Sequence, residues 1–133
     1  MSFEPITIVV PGVPIGKGRP RFARTGHAYT PEKTRHYEAM LRDYARQAMG
    51  DRPPCEEPMR VIMIAVFPIP ASWSAKKRRS AKVCATRPDA DNIGKLCDAL
   101  NQIVWKDDNQ VVTLLVKKLY GNQPCLRIEI SRE

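Results

Sequence analysis

Residues 59–67, MRVIMIAVF, form the most continuous apolar run in the chain, interrupted only by Arg60. Four of the nine residues are β-branched, and Pro68 follows directly. Apolar, β-branched runs of this length are typical of strands that are buried within a sheet. Proline lacks the N–H group that would continue the ladder. The stretch therefore predicts a central strand that ends at Pro68.

On the N-terminal side of this strand, ITIVV at residues 6–10 predicts another strand, which Pro11-Gly12 would stop. A loop rich in Gly, Pro and Arg follows over residues 13–30. Thr30 as N-cap and Pro31 in the first helical position predict a helix that runs to Met49. Its apolar residues recur at spacings of three and four, which favours one buried face.

On the C-terminal side, residues 72–81 carry four consecutive basic residues without an apolar stripe, so we expect a mobile, solvated turn. A helix is predicted over 91–104. Two alternating strands, 110–120 and 125–131, flank Gly121-Asn122 and predict a hairpin. The order β-α-β-(α)-α-β-β indicates a single α+β domain over residues 1–133, a two-layer sandwich with a mixed sheet and helices on one face.

Composition narrows the class of protein. The chain has 133 residues, enough for a real core, and no apolar run approaches the roughly 20 residues that span a bilayer. The N-terminus lacks the basic region of a signal peptide. Four cysteines show no CxxC spacing, which favours reduced structural thiols. We therefore expect a cytoplasmic protein without a membrane partner.

The net charge of +8 is unevenly distributed. Residues 1–83 hold 15 Lys and Arg against 7 Asp and Glu, whereas residues 84–133 hold 7 of each. A basic body favours a polyanionic partner, since neutralising phosphates releases condensed counterions. Residues 87–108 nevertheless contain five Asp and only three basic residues. Carboxylates that face a polyanion repel it unless divalent cations lie between them.

This acidic segment reads RPDADNIGKLCDALNQIVWKDDNQVV over residues 87–112. Asp89 and Asp91 are two residues apart in an extended approach, hence on one side, and Asp91 is a natural N-cap. At about 100° per residue, the following helix separates an apolar stripe from a polar one. The polar stripe comprises Asp91, Lys95, Asp98 and Gln102. Asp107-Asp108 follow, and one of them could approach the first two carboxylates if the next strand returns alongside the helix.

Clustered carboxylates without His or Cys suit a hard divalent cation, which prefers oxygen ligands. Such a cation can activate water for phosphodiester hydrolysis, and Lys95 is placed to steady the developing charge. A purely structural interpretation stays open: Asp91 could only cap the helix, Lys95 could only pair with it, and Asp107-Asp108 could only begin a turn. A calcium loop is excluded, because Ile93 and Leu100 stand where oxygen ligands are required.

These residues resemble the RusA family of Holliday-junction resolvases. The similarity covers residues 6–130 and rests on Gly18-Arg19-Pro20-Arg21-Phe22, Tyr29-Thr30-Pro31, Asp89-Ala-Asp91-Asn92-x-x-Lys95, Asp98-Ala-Leu-Asn101 and Trp105-x-Asp107-Asp108-x-Gln110-Val111. The resemblance implies a RusA-like fold and a homodimeric, Mg²⁺-dependent endonuclease, with Mn²⁺ as a substitute, that cuts four-way junction DNA with paired symmetric nicks. It implies Asp89, Asp91 and Asp108 as metal ligands and, with Lys95, as catalytic residues. Asp108 is chosen over Asp107 by its distance from Gln110-Val111.

Two basic stretches are candidates for DNA contact. The loop carries Lys17, Arg19, Arg21 and Arg24 with Phe22 and Tyr29 between them, a composition that can follow a sugar-phosphate backbone and stack on unpaired bases. The alternative is a solubilising loop with Phe22 in the core. The second stretch is Lys76, Lys77, Arg78 and Arg79, either a DNA-contact strip or solvated charge. Two other functions stay open: a non-catalytic nucleic-acid-binding module, and a metal-dependent nuclease acting on other branched DNA or RNA.

Overall fold

The computed structural model describes residues 3–18 and 21–133. Its helices and strands follow in the order β1 Ile6–Pro11, β2 Arg21–Phe22, β3 Ala28–Tyr29, α1 Glu32–Met49, β4 Met59–Phe67, α2 Ala75–Ser80, α3 Ala90–Gly94, β5 Val111–Tyr120 and β6 Cys125–Arg132. Short 3₁₀ helices span Lys95–Leu100 and Asp108–Gln110.

Four strands form one mixed sheet in the order β1-β6-β4-β5. β4 pairs with β5 in parallel and with β6 antiparallel, and β1 is antiparallel to β6. The stretch MRVIMIAVF therefore occupies a central position, as its composition predicts. The residues of β4 that face the helices are fully or almost fully buried, whereas those on the other face are half-exposed or exposed.

The predicted hairpin between the last two strands is wrong, because β6 lies between β1 and β4 instead of beside β5. The connection crosses the end of β4: the Gly121 N–H donates to Phe67 O at 3.0 Å, and a Cβ on Gly121 would lie 2.8 Å from Val66 Cγ1. Gly121-Asn122 indicates where the chain reverses, but not which strand the returning segment joins. Leu126, Ile128 and Ile130 are buried by this central placement.

All helices that pack on the sheet lie on one face of it. Ile8 pairs with Ile128, Ile128 with Met63, and Met63 with Val116, so these four side chains share a face. The α1 helix packs over β1, and Gly94 of α3 approaches the side chains of Leu114 and Val116 on β5. The two-layer α+β sandwich with helices on one face is thus confirmed.

The predicted helix over 91–104 is wrong in form. The chain makes one α-helical turn, α3, and then continues as the 3₁₀ helix that ends at Leu100. Gln102 has a positive φ of 67°, which no helix accommodates. The apolar stripe is nevertheless buried, with Ile93, Leu96 and Leu100 at 0% exposure. The periodicity correctly identified the buried residues while overestimating the regularity of the backbone.

Three further features of the secondary structure differ from the prediction. α1 begins at Glu32 with Pro31 at the N-cap position, one residue later than expected. Residues 75–80 form a helix instead of a turn, because the Ser74 side chain accepts a hydrogen bond from the Lys77 N–H and caps it. The loop before α1 contains the two-stranded hairpin β2–β3.

All four cysteines are free thiols, and Cys84 and Cys97 are buried. Within residues 3–18 and 21–133, no helix combines the length and the apolar character that crossing a membrane requires.

Candidate active site

Asp89 stands at the start of the acidic segment and directly precedes α3. It occupies the N-cap position in an extended conformation, with φ −68° and ψ 151°, but its side chain makes no capping hydrogen bond. Asp91, which the sequence predicts as the N-cap, lies inside the first helical turn instead. That expectation is wrong, because the helix begins two residues earlier. Neither carboxylate caps the helix with its side chain, so the purely structural interpretation of Asp91 as a cap fails.

Lys95 lies one turn beyond Asp91. Its Nζ is 4.0 Å from Asp91 Oδ2 and donates to Asn92 Oδ1 at 3.2 Å. The side chain of Asp91 is 73% exposed and that of Lys95 is 48% exposed. A long, solvated ion pair of this kind contributes little to stability. Both charged groups can therefore reorient toward a ligand at low cost.

The adjacent residues Asp107 and Asp108 have different surroundings. Asp107 forms a capping box: its side chain accepts from the Asn109 N–H, and its own N–H donates to Gln110 Oε1 at 2.9 Å. Asp108 caps nothing. Its Oδ1 accepts from Asn101 Nδ2 at 3.3 Å.

Asn101 connects Asp108 to the core. Its Oδ1 accepts from Trp105 Nε1 at 2.9 Å, and Trp105 is fully buried. Trp105 is therefore a packing residue, and it orients the amide that donates to Asp108. Sequence reasoning missed Asn101 as a site residue, although its spacing of four from Trp105 placed the two side chains within reach.

Asp98 is the remaining aspartate of the segment. Both of its carboxylate oxygens accept from Lys17 Nζ at 2.9 Å. The five aspartates therefore fall into two groups. Asp98 is held through both oxygens by Lys17, and Asp107 closes a local capping box through a side-chain bond of 3.4 Å. The side chains of Asp89, Asp91 and Asp108 cap no helix, and each keeps at least one oxygen without a hydrogen bond in the described parts of the chain.

The available carboxylates do not converge on one point in this structure. Asp89 borders a recess with Asn92, whereas Asp91 borders another with Lys95 and the side chain of Leu114. Residues two apart in a helical turn are rotated by about 200°, so the expectation that Asp89 and Asp91 lie on one side does not hold in the folded turn. Among the residues that the structure describes, no three His, Cys, Asp or Glu side chains are grouped closely enough to hold a metal ion. The donor chemistry, oxygen without sulfur or nitrogen, still matches a hard divalent cation.

Cys97 lies in the core beneath these carboxylates. Burial, with Asp108 and Asp98 nearby, raises the pKa of the Cys97 thiol to about 12. The thiol therefore stays neutral near pH 7, and a neutral thiol is a poor metal ligand.

The start of the acidic segment is held by Lys118 of β5, a residue that sequence reasoning missed. Its Nζ donates to Thr86 O at 2.6 Å and to Pro88 O at 2.8 Å. The alternation of residues along β5 does not predict this contact, because Lys118 donates to backbone carbonyls that lie about 30 residues earlier in the chain. Lys118 thereby fixes the backbone from which Asp89 projects.

The predicted DNA-contact residues lie at the periphery. Arg21 and Arg24 are exposed on the β2–β3 hairpin, beside Phe22, whose 73% exposure excludes the core placement considered from the sequence. Arg19 lies outside the described residues. Lys17 is not at the periphery, because it is engaged with Asp98 and with Glu38 of α1.

The basic helix α2 has no buried residue. Lys77 Nζ lies 4.1 Å from the ring centroid of Trp73, and Arg78 donates to the carbonyls of Trp73 and Pro70. Lys76 and Arg79 have no side-chain partner in the described parts of the chain. Trp73 packs edge-on against Tyr120, with ring centroids 5.2 Å apart. Half of this basic strip thus serves to attach α2, and the other half faces solvent.

Comparison with known proteins agrees with this arrangement of an acidic segment on a basic α+β body. The model of the family Endodeoxyribonuclease RusA matches residues 11–131. The chain belongs to the RusA family. It is also 34% identical over 137 residues to the uncharacterized protein YqaN of Bacillus subtilis (strain 168), with 94% of each chain covered. Membership of the RusA family implies an endodeoxyribonuclease, a hydrolase of DNA, and a protein that binds branched DNA.

Proposed function

We propose that this RusA-family protein is a Mg²⁺-dependent endonuclease that resolves four-way DNA junctions by paired symmetric nicks in recombination and repair. The whole chain would act as one endonuclease domain in the cytoplasm. The observation that carries the proposal is the division of the five aspartates in a member of a DNA-hydrolase family: Asp98 pairs with Lys17 and Asp107 closes a capping box, whereas the side chains of Asp89, Asp91 and Asp108 have neither of these structural roles.

Asp89, Asp91 and Asp108 are the proposed metal ligands. The bound Mg²⁺, or Mn²⁺ in its place, would supply Lewis-acid activation of water and of the scissile phosphate. The exposed side chains of Asp89 and Asp91 can rotate toward a shared ligand, since neither is fixed by a capping bond. Asp108 is oriented by Asn101, which leaves its second oxygen available.

Lys95 is the proposed fourth member of the catalytic group. Its ammonium group lies beside Asp91 and remains half-exposed, so it can reach a phosphate that meets the same helical turn. A lysine in this position would stabilise the negative charge that develops on the phosphate or on the leaving oxygen. The weak contact with Asp91 allows that movement without breaking a strong ion pair.

Arg21, Arg24 and the strip from Lys76 to Arg79 are the proposed phosphate contacts. Their support is exposure and charge: the hairpin and α2 both carry basic side chains outside the core of a protein with net charge +8. Phe22 projects from the same hairpin and offers an aromatic surface for an unpaired base. An exposed basic hairpin that also carries an aromatic side chain could stack on a base where the centre of a branched DNA is opened.

A homodimer is proposed because a four-way junction presents two equivalent strands to be cut. Twofold symmetry would place one active site at each of them. Paired nicks follow from this arrangement only if both sites act on one bound junction.

The test is a cleavage assay in Mg²⁺ that compares a four-way junction, a flap, a linear duplex and a structured RNA. We expect symmetric nicks in the junction and much slower cleavage of the other three. Asp91→Asn is expected to bind the junction as wild type does and to lose at least about a thousandfold in cleavage, since metal-assisted charge stabilisation contributes several kcal/mol.

Cleavage of the flap or RNA at the junction rate would replace the proposed substrate with another one. Binding without any Mg²⁺-dependent nicking would instead indicate a non-catalytic module. Equilibrium sedimentation with and without junction provides the independent test of the dimer, and a species of 15.1 kDa in both conditions would contradict it.

A further inference from the structure

One loop residue, Lys17, is bonded to three separate parts of the fold. Its Nζ donates to both oxygens of Asp98, at 2.9 Å each, and to Glu38 Oε2 at 3.2 Å. Its backbone N–H donates to Asn92 O at 2.8 Å. Glu38 belongs to α1, Asn92 to α3 and Asp98 to the 3₁₀ helix that follows, so Lys17 joins α1 to both ends of the acidic turn.

The neighbouring residue packs against the same turn. A Cβ on Gly16 would lie 2.9 Å from Pro88 Cβ and 3.0 Å from Asn92 Cβ, closer than side-chain atoms tolerate. Only glycine allows the loop to approach the backbone that carries Asp89 and Asp91. This second contact is independent of the ion pairs and fixes where the Lys17 side chain begins.

The ion pairs are partly desolvated. The side chain of Glu38 is 5% exposed, and Lys17 is its sole side-chain partner among the described residues. Burial acts to lower the pKa of Lys17, but the hydrogen bonds that its ammonium group donates to Asp98 and Glu38 outweigh burial and raise that pKa above its ordinary value. Lys17 therefore keeps its charge, and that charge is already neutralised by two carboxylates within the protein.

We propose that Lys17 is a positioning residue, which holds the turn bearing Asp89 and Asp91 against α1 and makes no contact with DNA phosphate. The inference rests on the proposed function in one respect, namely that Asp89 and Asp91 serve cleavage. It gives Asp98 a role as well: Asp98 is the point at which the acidic segment is attached. Groups that orient metal-binding carboxylates typically contribute 10–100-fold to affinity or activity.

The first measurement needs neither metal nor cleavage. Amide hydrogen exchange of the metal-free protein is compared for wild type and Lys17→Met over residues 90–98. We expect exchange in this segment to accelerate about tenfold or more, while β4 and β6 keep their protection. Arg46→Met is the matched control: it also removes one positive charge and one pair with an aspartate, Asp43, but on the exposed side of α1, and it should leave exchange over 90–98 unchanged.

The second measurement separates positioning from phosphate contact. For Lys17→Met we expect kcat on the junction to fall about 10–100-fold and half-saturation to require more Mg²⁺. The junction Kd in metal-free buffer, and its salt dependence, should stay within twofold of wild type. Lys17→Arg, whose guanidinium can also reach two carboxylates, should recover most of kcat.

Loss of one partner also leaves Glu38 buried without a counter-charge, which could destabilise the whole protein. Lys17→Met combined with Glu38→Gln removes that charge and should recover the thermal midpoint while the exchange defect over 90–98 persists. Full recovery of both the thermal midpoint and the exchange protection would overturn the proposal, since the single variant would then have suffered only from an unpaired glutamate.

A weaker junction Kd with a salt slope reduced by about one, together with normal exchange over 90–98, would also overturn the proposal and make Lys17 a phosphate contact. If the wild type cleaves no junction, the proposed function fails, yet the exchange comparison still decides the position of Lys17.

Discussion

The acidic segment and the two basic regions of this protein are anchored in opposite ways. Beneath the aspartates, Leu96, Leu100 and Trp105 are fully buried. The basic helix α2 buries no residue, and the β2–β3 hairpin consists of exposed residues. The acidic segment is thus attached to the core by its apolar residues, whereas the exposed basic residues of α2 and the hairpin lie outside the core.

This difference corresponds to what each task requires. Metal-assisted hydrolysis needs side chains held within a fraction of an ångström, so the carboxylates must project from supported backbone. Phosphate attraction acts over the Debye length of about 8–10 Å and tolerates mobility. Substitutions in the acidic segment should therefore change kcat, and substitutions in the basic regions should change Kd and its salt dependence.

The largest difference in cleavage rate is expected between variants of two neighbouring residues, Asp107 and Asp108. Asp108→Asn should reduce junction cleavage at least about a thousandfold, because a neutral amide is a poor ligand for a hard cation. Asp107→Asn should retain cleavage within about threefold, because asparagine caps as well as aspartate and the bond to Gln110 Oε1 is donated by the backbone N–H of residue 107.

Both variants remove one negative charge from the same two-residue step, so each serves as the control for the other. Single-turnover cleavage at saturating junction is the measurement, with thermal unfolding to verify the fold. Equal losses in the two variants would mean that both carboxylates serve cleavage, and would overturn the choice of Asp108 over Asp107 as the metal ligand.

An intermediate effect is expected at α2. Lys76→Met combined with Arg79→Met removes two exposed charges that are not used to attach the helix, and should reduce the slope of log K against log salt by about two. Single-turnover kcat at saturating junction should stay unchanged. Lys33→Met with Arg46→Met, two exposed basic residues of α1, provides a control of equal charge. The same slope change in both doubles would show that net charge alone attracts the DNA and that α2 has no specific role.

The fold was predictable where burial and periodicity agreed. The apolar run MRVIMIAVF predicts a central strand, and it is one: β5 pairs with one of its edges and β6 with the other. The pairing of the last two strands was not predictable from Gly121-Asn122, since a turn residue signals reversal and carries no information on which strand lies nearest. The same limit applies to residues 91–104, where the apolar spacing was correct but the change from α to 3₁₀ geometry was not visible.

The acidic segment was recognisable from the sequence. Which of its aspartates have structural partners and which are candidate metal ligands could not be deduced from the sequence by physical reasoning alone. The division depends on long-range partners: Asp98 is bonded to a residue 81 positions earlier, and Asp108 to Asn101 across a turn. Only the capping box of Asp107 with Gln110 is local enough to be inferred from spacing. Lys17, predicted as a DNA contact from loop composition, is paired with Glu38 and Asp98 in the fold, and loop composition gives no indication of these partners.

The smallest expected effect is on DNA affinity, when α2 loses its N-cap. It tests whether α2 acts independently of the acidic segment. Ser74 Oγ accepts from the Lys77 N–H at 3.2 Å, and Ser74→Ala should cost α2 about 0.5–2 kcal/mol of local stability. Because α2 buries nothing, the global unfolding midpoint should not move, and junction affinity should fall by about twofold or less as the helix frays. Ser80→Ala is the control: it removes a hydroxyl that donates to carbonyls already within α2 and leaves the N-cap intact, so its loss of affinity should be smaller than that of Ser74→Ala. Amide exchange over residues 75–80 measures the fraying directly. If Ser74→Ala instead lowered kcat at saturating junction, the state of α2 would influence the aspartates. The proposed separation of DNA binding from cleavage would then not hold.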